Sequence, residues 1–160
     1  MIKYVKGNAI SMFMAGQFDA FAHGCNCFCR MGRGIALEVK NRMPEMYVAD
    51  RATLEGDRDK LGTFSYHDFP YGRGINVYSQ YTWNDKRDML KLWAVEDAFK
   101  ATFEWMVANG KTTIVIPKIG AGLARGDMSE KQAWELVSGL IDKVCPEDVI
   151  VTVVEYDPRA

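Results

Sequence analysis

Between Ala22 and Ala36 the chain reads AHGCNCFCRMGRGIA, a stretch holding three cysteines, a histidine, an asparagine and three glycines. Residues of these types build a metal centre, a thiol redox pair, a nucleophile with its base, or a main-chain cradle for an anion. Spacing separates the four. Cys25, Cys27 and Cys29 form C-x-C-x-C, which is neither the C-x-x-C of a redox pair nor the paired spacing of a zinc knuckle. With two histidines in the whole chain, a four-ligand site would need His23 and all three thiols inside seven residues. No metal ligand and no cofactor is assigned. The thiols read as small, weakly polar residues entering a tight loop, and Cys145 as a core residue near a helix end.

The glycines point elsewhere. CRMGRGIA and a second loop, KIGAGLARGD (Lys118–Asp127), each follow a hydrophobic strand and each lead into a helix. In open α/β sheets ligands bind where a strand's carboxyl end hands over to a helix. Glycine there lets backbone N–H groups approach a ligand closely, and successive free N–H groups near a helix start cradle an anion without needing lysines. Together the loops predict a diphosphate-like ligand held by main chain. Neither is a Walker motif, and neither is a true G-x-G-x-x-G, since Arg125 stands at the third glycine's place after Gly120 and Gly122. The same glycines also fit plain turns and caps.

The elements that would position these loops follow from periodicity. IKYVKG, FDAFAHGCN, TFSYHDF, GINVYSQYTW, TTIVIP and DVIVTVVEY read as strands. GIALEVKNRM reads as a helix stopped or restarted by Pro44, with mixed helical character on to Leu54. EGDRDKLG reads as a loop and PYGRG as a turn. MLKLWAVEDAFKATFEWMVANG is the clearest helix, and SEKQAWELVSGLIDKV a second with Ser129 as its N-cap. With no repeat, low-complexity tract or linker, residues 1–160 are expected to form one domain.

KGNAIS, DAFAHGCN, MGRGIALEVKNRMPE, INVYSQYTW, IVIPKIGAGLARGD and VTVVEYD, in that order across nearly the whole chain, resemble the macro domain family. HGCN and IPKIGAGLARGD look closest to its branch of ADP-ribose 1''-phosphate phosphatases and related ADP-ribose-processing proteins. The resemblance implies a three-layer α/β fold, with a mixed, mostly parallel sheet of about six strands between helices. It also implies an ADP-ribose cleft at the crest of that sheet.

Carried over residue by residue, the resemblance places Asn26 at the distal ribose, where an amide suits a sugar hydroxyl. It places Met31, Gly32, Arg33, Gly34 and Ile35 in the first phosphate loop. Lys118, Gly120, Ala121, Gly122, Leu123 and Ala124 form the second. Asn8 stands where relatives carry an aspartate against the adenine amino group, with Ala9 beside it. Tyr81, with Phe13, Phe28 and Trp83, is a candidate to stack on the base or cover the ribose. Arg30, Arg33 and Arg125 flank the loops, within reach of an extra phosphate or simply solvated.

The resemblance to the phosphatases makes His23 and Asp127 the catalytic candidates, one handling water and the other the leaving oxygen. Read from the residues alone, His23 is equally a hydrogen-bonded core histidine, and Asp127 an N-cap or first-turn aspartate. Relatives that hydrolyse ADP-ribosyl bonds use a lysine at the end of the strand matching INVYSQY. Here Tyr78, Gln80 and Tyr81 occupy that neighbourhood, no lysine follows until Lys86, and Ala124 replaces a companion aspartate.

The expected function is therefore binding of ADP-ribose or a derivative, with metal-independent release of phosphate from ADP-ribose 1''-phosphate. Alternatives are a non-catalytic ADP-ribose-binding module and an ADP-ribosyl hydrolase acting on modified protein or nucleic acid. A net charge of −1 with 26% charged residues gives no global attraction for bulk nucleic acid or an anionic membrane. No segment approaches the roughly 18 apolar residues that span a bilayer. Cysteines without a signal-like segment make the cytoplasm the expected compartment.

Overall fold

Alternation along one strand sets the architecture. In β2 (Ala20–Cys25) Ala20 and Ala22 face one layer of helices while Phe21 and Cys25 face the other, because successive side chains point to opposite faces. The computed structural model describes residues 1–159 and builds around this strand a six-stranded sheet in the order β1-β6-β5-β2-β4-β3. The other strands are β1 (Ile2–Gly7), β3 (Phe64–Phe69), β4 (Gly72–Tyr78), β5 (Thr113–Ile116) and β6 (Ile150–Tyr156). All neighbours run parallel except β3, which closes the edge antiparallel to β4. The expected three-layer α/β fold with a mixed, mostly parallel sheet is what the chain forms.

One outer layer holds α1 (Ala9–Met14), α2 (Gly34–Arg42) and α3 (Pro44–Arg51); the other holds α4 (Leu92–Ala108) and α5 (Glu130–Val144). Val95, Phe99, Phe103 and Met106 of α4, with Val137 and Ile141 of α5, pack on Ile75, Val77, Ile114, Ile116, Val151 and Val153 of the sheet. Ile10 and Phe13 of α1, Val39 of α2 and Met46 of α3 cover the opposite face. Each such buried side chain contributes about 1.5–3 kcal/mol, so both faces are held firmly.

One element is added to the sequence reading and one expectation is corrected. AISMFM is a helix that periodicity could not reveal, being six residues long; the Asn8 carboxamide caps it by accepting from the Ser11 N–H at 2.9 Å. The strand expected over GINVYSQYTW ends at Tyr78. Beyond it the parallel partner β2 has stopped at Cys25, so Ser79–Lys91 leaves the sheet and keeps one bridge, Gln80 to Leu90. Pro44 restarts the helix after a break at Met43, and Ser129 caps α5 in a capping box with Gln132.

Candidate ligand cleft

Parallel β2, β4 and β5 all end at the same edge of the sheet, and a cleft of about 710 Å³ opens there. Backbone approach is tight at its floor. A Cβ on Gly24 would lie 2.7 Å from Ser79 Oγ and 3.1 Å from Ile119 Cγ2, so only glycine lets β2 reach the crest undisturbed. The two glycine loops lie on this one cleft. Asn26, Met31, Gly32, Arg33, Gly34 and Ile35 line it from the first, and Lys118, Gly120, Gly122, Leu123 and Ala124 from the second.

What the loops offer is main-chain N–H. Gly34 adopts a φ of 56°, turning the chain into α2, whose first-turn amides have no intrahelical acceptor. Among the described residues, the N–H groups of Gly32, Arg33, Gly34, Ile35, Gly120, Gly122, Leu123 and Ala124 donate to no protein acceptor. The alternate amides of the second loop are used internally: Ile119 donates to Pro117 O and Ala121 to Lys118 O. Those internal bonds hold the bend while the remaining amides stay available, which is the arrangement of an anion cradle.

Side-chain charge in the cleft has one sign. Arg30, Arg33, Lys40, Lys86 and Lys118 line it, and no aspartate or glutamate does among the described residues. The Arg30 guanidinium sits 5.1 Å from the centre of the Trp83 ring, and Lys40 Nζ 4.5 Å from that of Tyr47. Lys118 also pairs with Glu155 at 2.9 Å.

Asn26 lines the cleft, and its amide builds the loop as well. Its Nδ2 donates to Arg30 O at 2.9 Å, while Oδ1 accepts from the N–H groups of Phe28 (2.9 Å) and Arg30 (3.3 Å). This is an Asx turn that leaves an edge of the amide at the surface of the cleft.

The geometry does not bring the expected catalytic pair to the cleft. His23 points from β2 into the core beneath α1–α3, fully buried, stacked on Phe21 and absent from the lining. Asn76 Nδ2 already donates to Met46 O and Ser65 Oγ, so its Oδ1 must accept from His23 Nε2–H at 2.7 Å. Burial pushes the imidazole down to about 4 against the bond to Asn76, leaving it neutral near pH 7. Asp127 is exposed beyond Gly126, outside the cleft, and is not the cap of α5 either.

Four ligand candidates also stand apart. Asn8 spends Oδ1 on capping α1 and Nδ2 on Glu38, at 3.1 Å, and Ala9 is buried behind it. Tyr81 donates its hydroxyl to Gly56 O at 2.8 Å, with Phe28 edge-on and Arg58 over its ring. Ala121 faces the core. Of the aromatic candidates, Phe13 is core and Phe28 is a brace, while Trp83 stands at the lip of the cleft. Arg125 turns back to donate to Gly122 O.

Residues that sequence reasoning did not assign here are Lys40 and Tyr47, Cys25 and Cys29, Gln80, Lys86 and Met89. Lys40 reaches the cleft from α2, one turn on from Ala36, and Tyr47 from α3 beyond the break at Met43. Burial raises the Cys25 thiol, and raises Cys27 to about 11, so neither supplies a thiolate nucleophile near neutral pH. Among the described residues no three His, Cys, Asp or Glu side chains are grouped to hold a metal ion. No described helix is long and apolar enough to cross a membrane.

Known proteins show the same architecture. No protein-family model matches the chain. Over 99% of its length the chain is 30% identical to an uncharacterized 17.5 kDa protein of Enterobacteria phage T4, covering 98% of it. It is 28% identical to the human ADP-ribose glycohydrolase OARD1, over 95% of this chain and 90% of the relative. A macrodomain protein from Streptomyces coelicolor superposes with a TM-score of 0.74 at 25% identity, covering 98% of this chain and 100% of that one.

Proposed function

We propose that the chain is a macrodomain, as its sheet topology and its likeness to the Streptomyces coelicolor macrodomain protein support, and that its crest cleft binds ADP-ribose, free or as a derivative, chiefly through main-chain amides. One observation carries this reading: two glycine loops border a single cleft, each with a run of N–H groups that no protein atom uses. A diphosphate between them would receive charge-assisted hydrogen bonds from fixed donors with little ordering cost. Asn8, at the position the family resemblance gives to the adenine contact, is committed to capping its helix and to Glu38, so affinity rests on the diphosphate and distal ribose.

Calorimetric titration with ADP-ribose tests this. Wild type should bind, and Gly32→Glu and Gly122→Glu should each weaken binding by at least about tenfold while folding normally. Both glycines face open space with negative φ, so the new carboxylate enters the cleft without strain. Normal binding by both variants would refute the reading.

The excess of positive charge favours a second reading, in which the ligand is ADP-ribose 1''-phosphate and the cleft releases its phosphate. With Lys118 paired to Glu155, Arg30, Arg33, Lys40 and Lys86 still exceed the two charges of a diphosphate, and they leave room for a third phosphoryl group. His23 and Asp127 are not placed to act on it, so turnover would depend on electrostatic stabilisation by amides and cations. A covalent lysine route lacks its usual geometry, since Gln80 and Ala124 face the cleft at the matching positions. Release of inorganic phosphate by the wild-type chain, surviving in Asp127→Ala, would support this reading; no release at high protein concentration would leave a binding module.

A further inference from the structure

Beneath the first glycine loop lies a nitrogen nucleophile that the binding reading does not use. Lys60 is buried, 7% exposed, in a short 3-10 turn (Arg58–Lys60). Its Nζ donates to Cys27 O at 3.0 Å, sits 4.7 Å from the centre of the Tyr78 ring, and approaches Cys29 Sγ at 3.7 Å. No carboxylate forms an ion pair with it among the described residues; the nearby Asp50 is engaged by the Tyr78 hydroxyl at 2.8 Å. A buried amine so placed is unusual, because burying a cation without a close counter-charge is costly.

Cys29 is the matching partner. It borders the cleft with 4% of its surface exposed, and the cleft is the route by which a peroxide-sized molecule would reach its sulfur. Its backbone is left-handed, with φ of 56°, and is the one non-glycine residue so held among those described. Besides Lys60 its thiol touches Asp50 O at 3.2 Å and Thr53 Oγ1 at 3.7 Å, neither a nucleophile toward sulfur. The Lys60 amine lies below it at 3.7 Å from the sulfur, close enough for the two side chains to be joined. Cys25 and Cys27 are held as protonated thiols by burial.

We propose that Cys29 and Lys60 form a peroxide-driven covalent crosslink, a sulfenamide between Sγ and Nζ, at the base of the first glycine loop. In the first step the Cys29 sulfur attacks hydrogen peroxide, an S–O bond forms, the O–O bond breaks, and one water leaves. The thiol is oxidised to a sulfenic acid and the peroxide is reduced. In the second step the Lys60 amine, having given a proton to solvent if it was charged, attacks that sulfur. The S–N bond forms, the S–O bond breaks, and the hydroxyl leaves as water with the second amine proton. Sulfenic acids condense in this way with backbone nitrogen. Net, thiol, amine and peroxide become sulfenamide and two waters. Because Met31–Ile35 begin two residues after Cys29, the crosslink couples peroxide exposure to the shape of the phosphate-facing loop.

The test is peptide mapping by mass spectrometry of the full-length folded chain after brief peroxide treatment, with and without later reduction by dithiothreitol. The expected product is a linkage between the Cys29 and Lys60 peptides, two hydrogens lighter than their sum and released by the thiol. It should persist in Cys25→Ser, Cys27→Ser and Cys145→Ser and vanish in Lys60→Arg, where Cys29 should instead accumulate as sulfenic and sulfinic acid. The wild-type map needs no variant, so a failure of Lys60→Arg to fold does not blunt it. Cys29 recovered unmodified, in a disulfide, or as sulfinic acid without any linkage to Lys60 in the wild-type chain overturns the proposal. None of these outcomes depends on ADP-ribose binding.

Discussion

His23 Nε2 donates to Asn76 Oδ1 at 2.7 Å, a bond between neighbouring strands that fixes the histidine's tautomer and locks it under the sheet. With Nε2–H facing Asn76, the other ring nitrogen lies 3.9 Å from the Cys25 thiol and reaches no ligand. The side chain closest in type to a general base is thus part of the scaffold. Its replacement should be read in stability before activity.

His23 therefore predicts a pH dependence. Its folded-state pKa of about 4 lies below the unfolded value of 6.5, so the unfolded chain takes up the proton first. The stability it contributes is complete above pH 6.5 and is lost as pH falls toward 4, by roughly 3 kcal/mol at full extent. Urea unfolding of wild type across that interval should show the decline, and His23→Gln should flatten it. A parallel decline in both proteins would assign the effect to other groups.

His23→Ala should cost about 2–4 kcal/mol, since it leaves a cavity and strips Asn76 of a buried donor. Ligand affinity at neutral pH should stay within about threefold of wild type, on the scale where tenfold is 1.4 kcal/mol. Asp127→Ala should change neither stability nor affinity measurably. A collapse of affinity in either variant, in protein shown to be folded, would restore that residue to the site.

Asn26→Ala should separate two roles of one amide. Losing its bonds to Phe28, Arg30 N–H and Arg30 O frees the loop that precedes Met31, so affinity should fall about tenfold. Stability should fall only by about 1 kcal/mol, because the affected backbone is at the surface of the crest. Calorimetry and thermal melting on one preparation give both numbers, and equal losses in the two would argue against the loop role.

Gly24→Ala should destabilise by about 1–3 kcal/mol through overpacking against Ser79 Oγ. Ser79→Ala in the same chain removes that oxygen and should recover part of the loss, leaving the contact with Ile119. Measured as a double-mutant cycle, the pair should couple by at least about 0.5 kcal/mol. Strict additivity would mean that β2 moves at the crest instead of clashing.

Much of this was legible in the sequence because it rests on local pattern. The apolar runs of β2, β5 and β6 and the periodic faces of α4 and α5 announced their elements, and the handover from strand to glycine loop to helix announced the cleft. What could not be read depended on contacts across the fold. Nothing around His23 says that Asn76 waits opposite it, nor around Tyr81 that Gly56 O will take its hydroxyl. Asn8 follows a glycine at the end of a strand whether it meets a base or caps a helix, and only the six-residue helix after it decides. Tyr47 reaches the cleft because Pro44 restarts the chain in a new direction, a tertiary consequence of a local signal.

The central claim is that main chain, more than side chains, grips the ligand, and amide-resolved NMR during titration with ADP-ribose tests it most directly. The account predicts that the resonances of Gly32, Arg33, Gly34 and Ile35 shift together with those of Gly120, Gly122, Leu123 and Ala124, and that their hydrogen exchange slows on binding. Shifts confined to one loop, or binding that leaves both sets of amides exchanging as before, would contradict it.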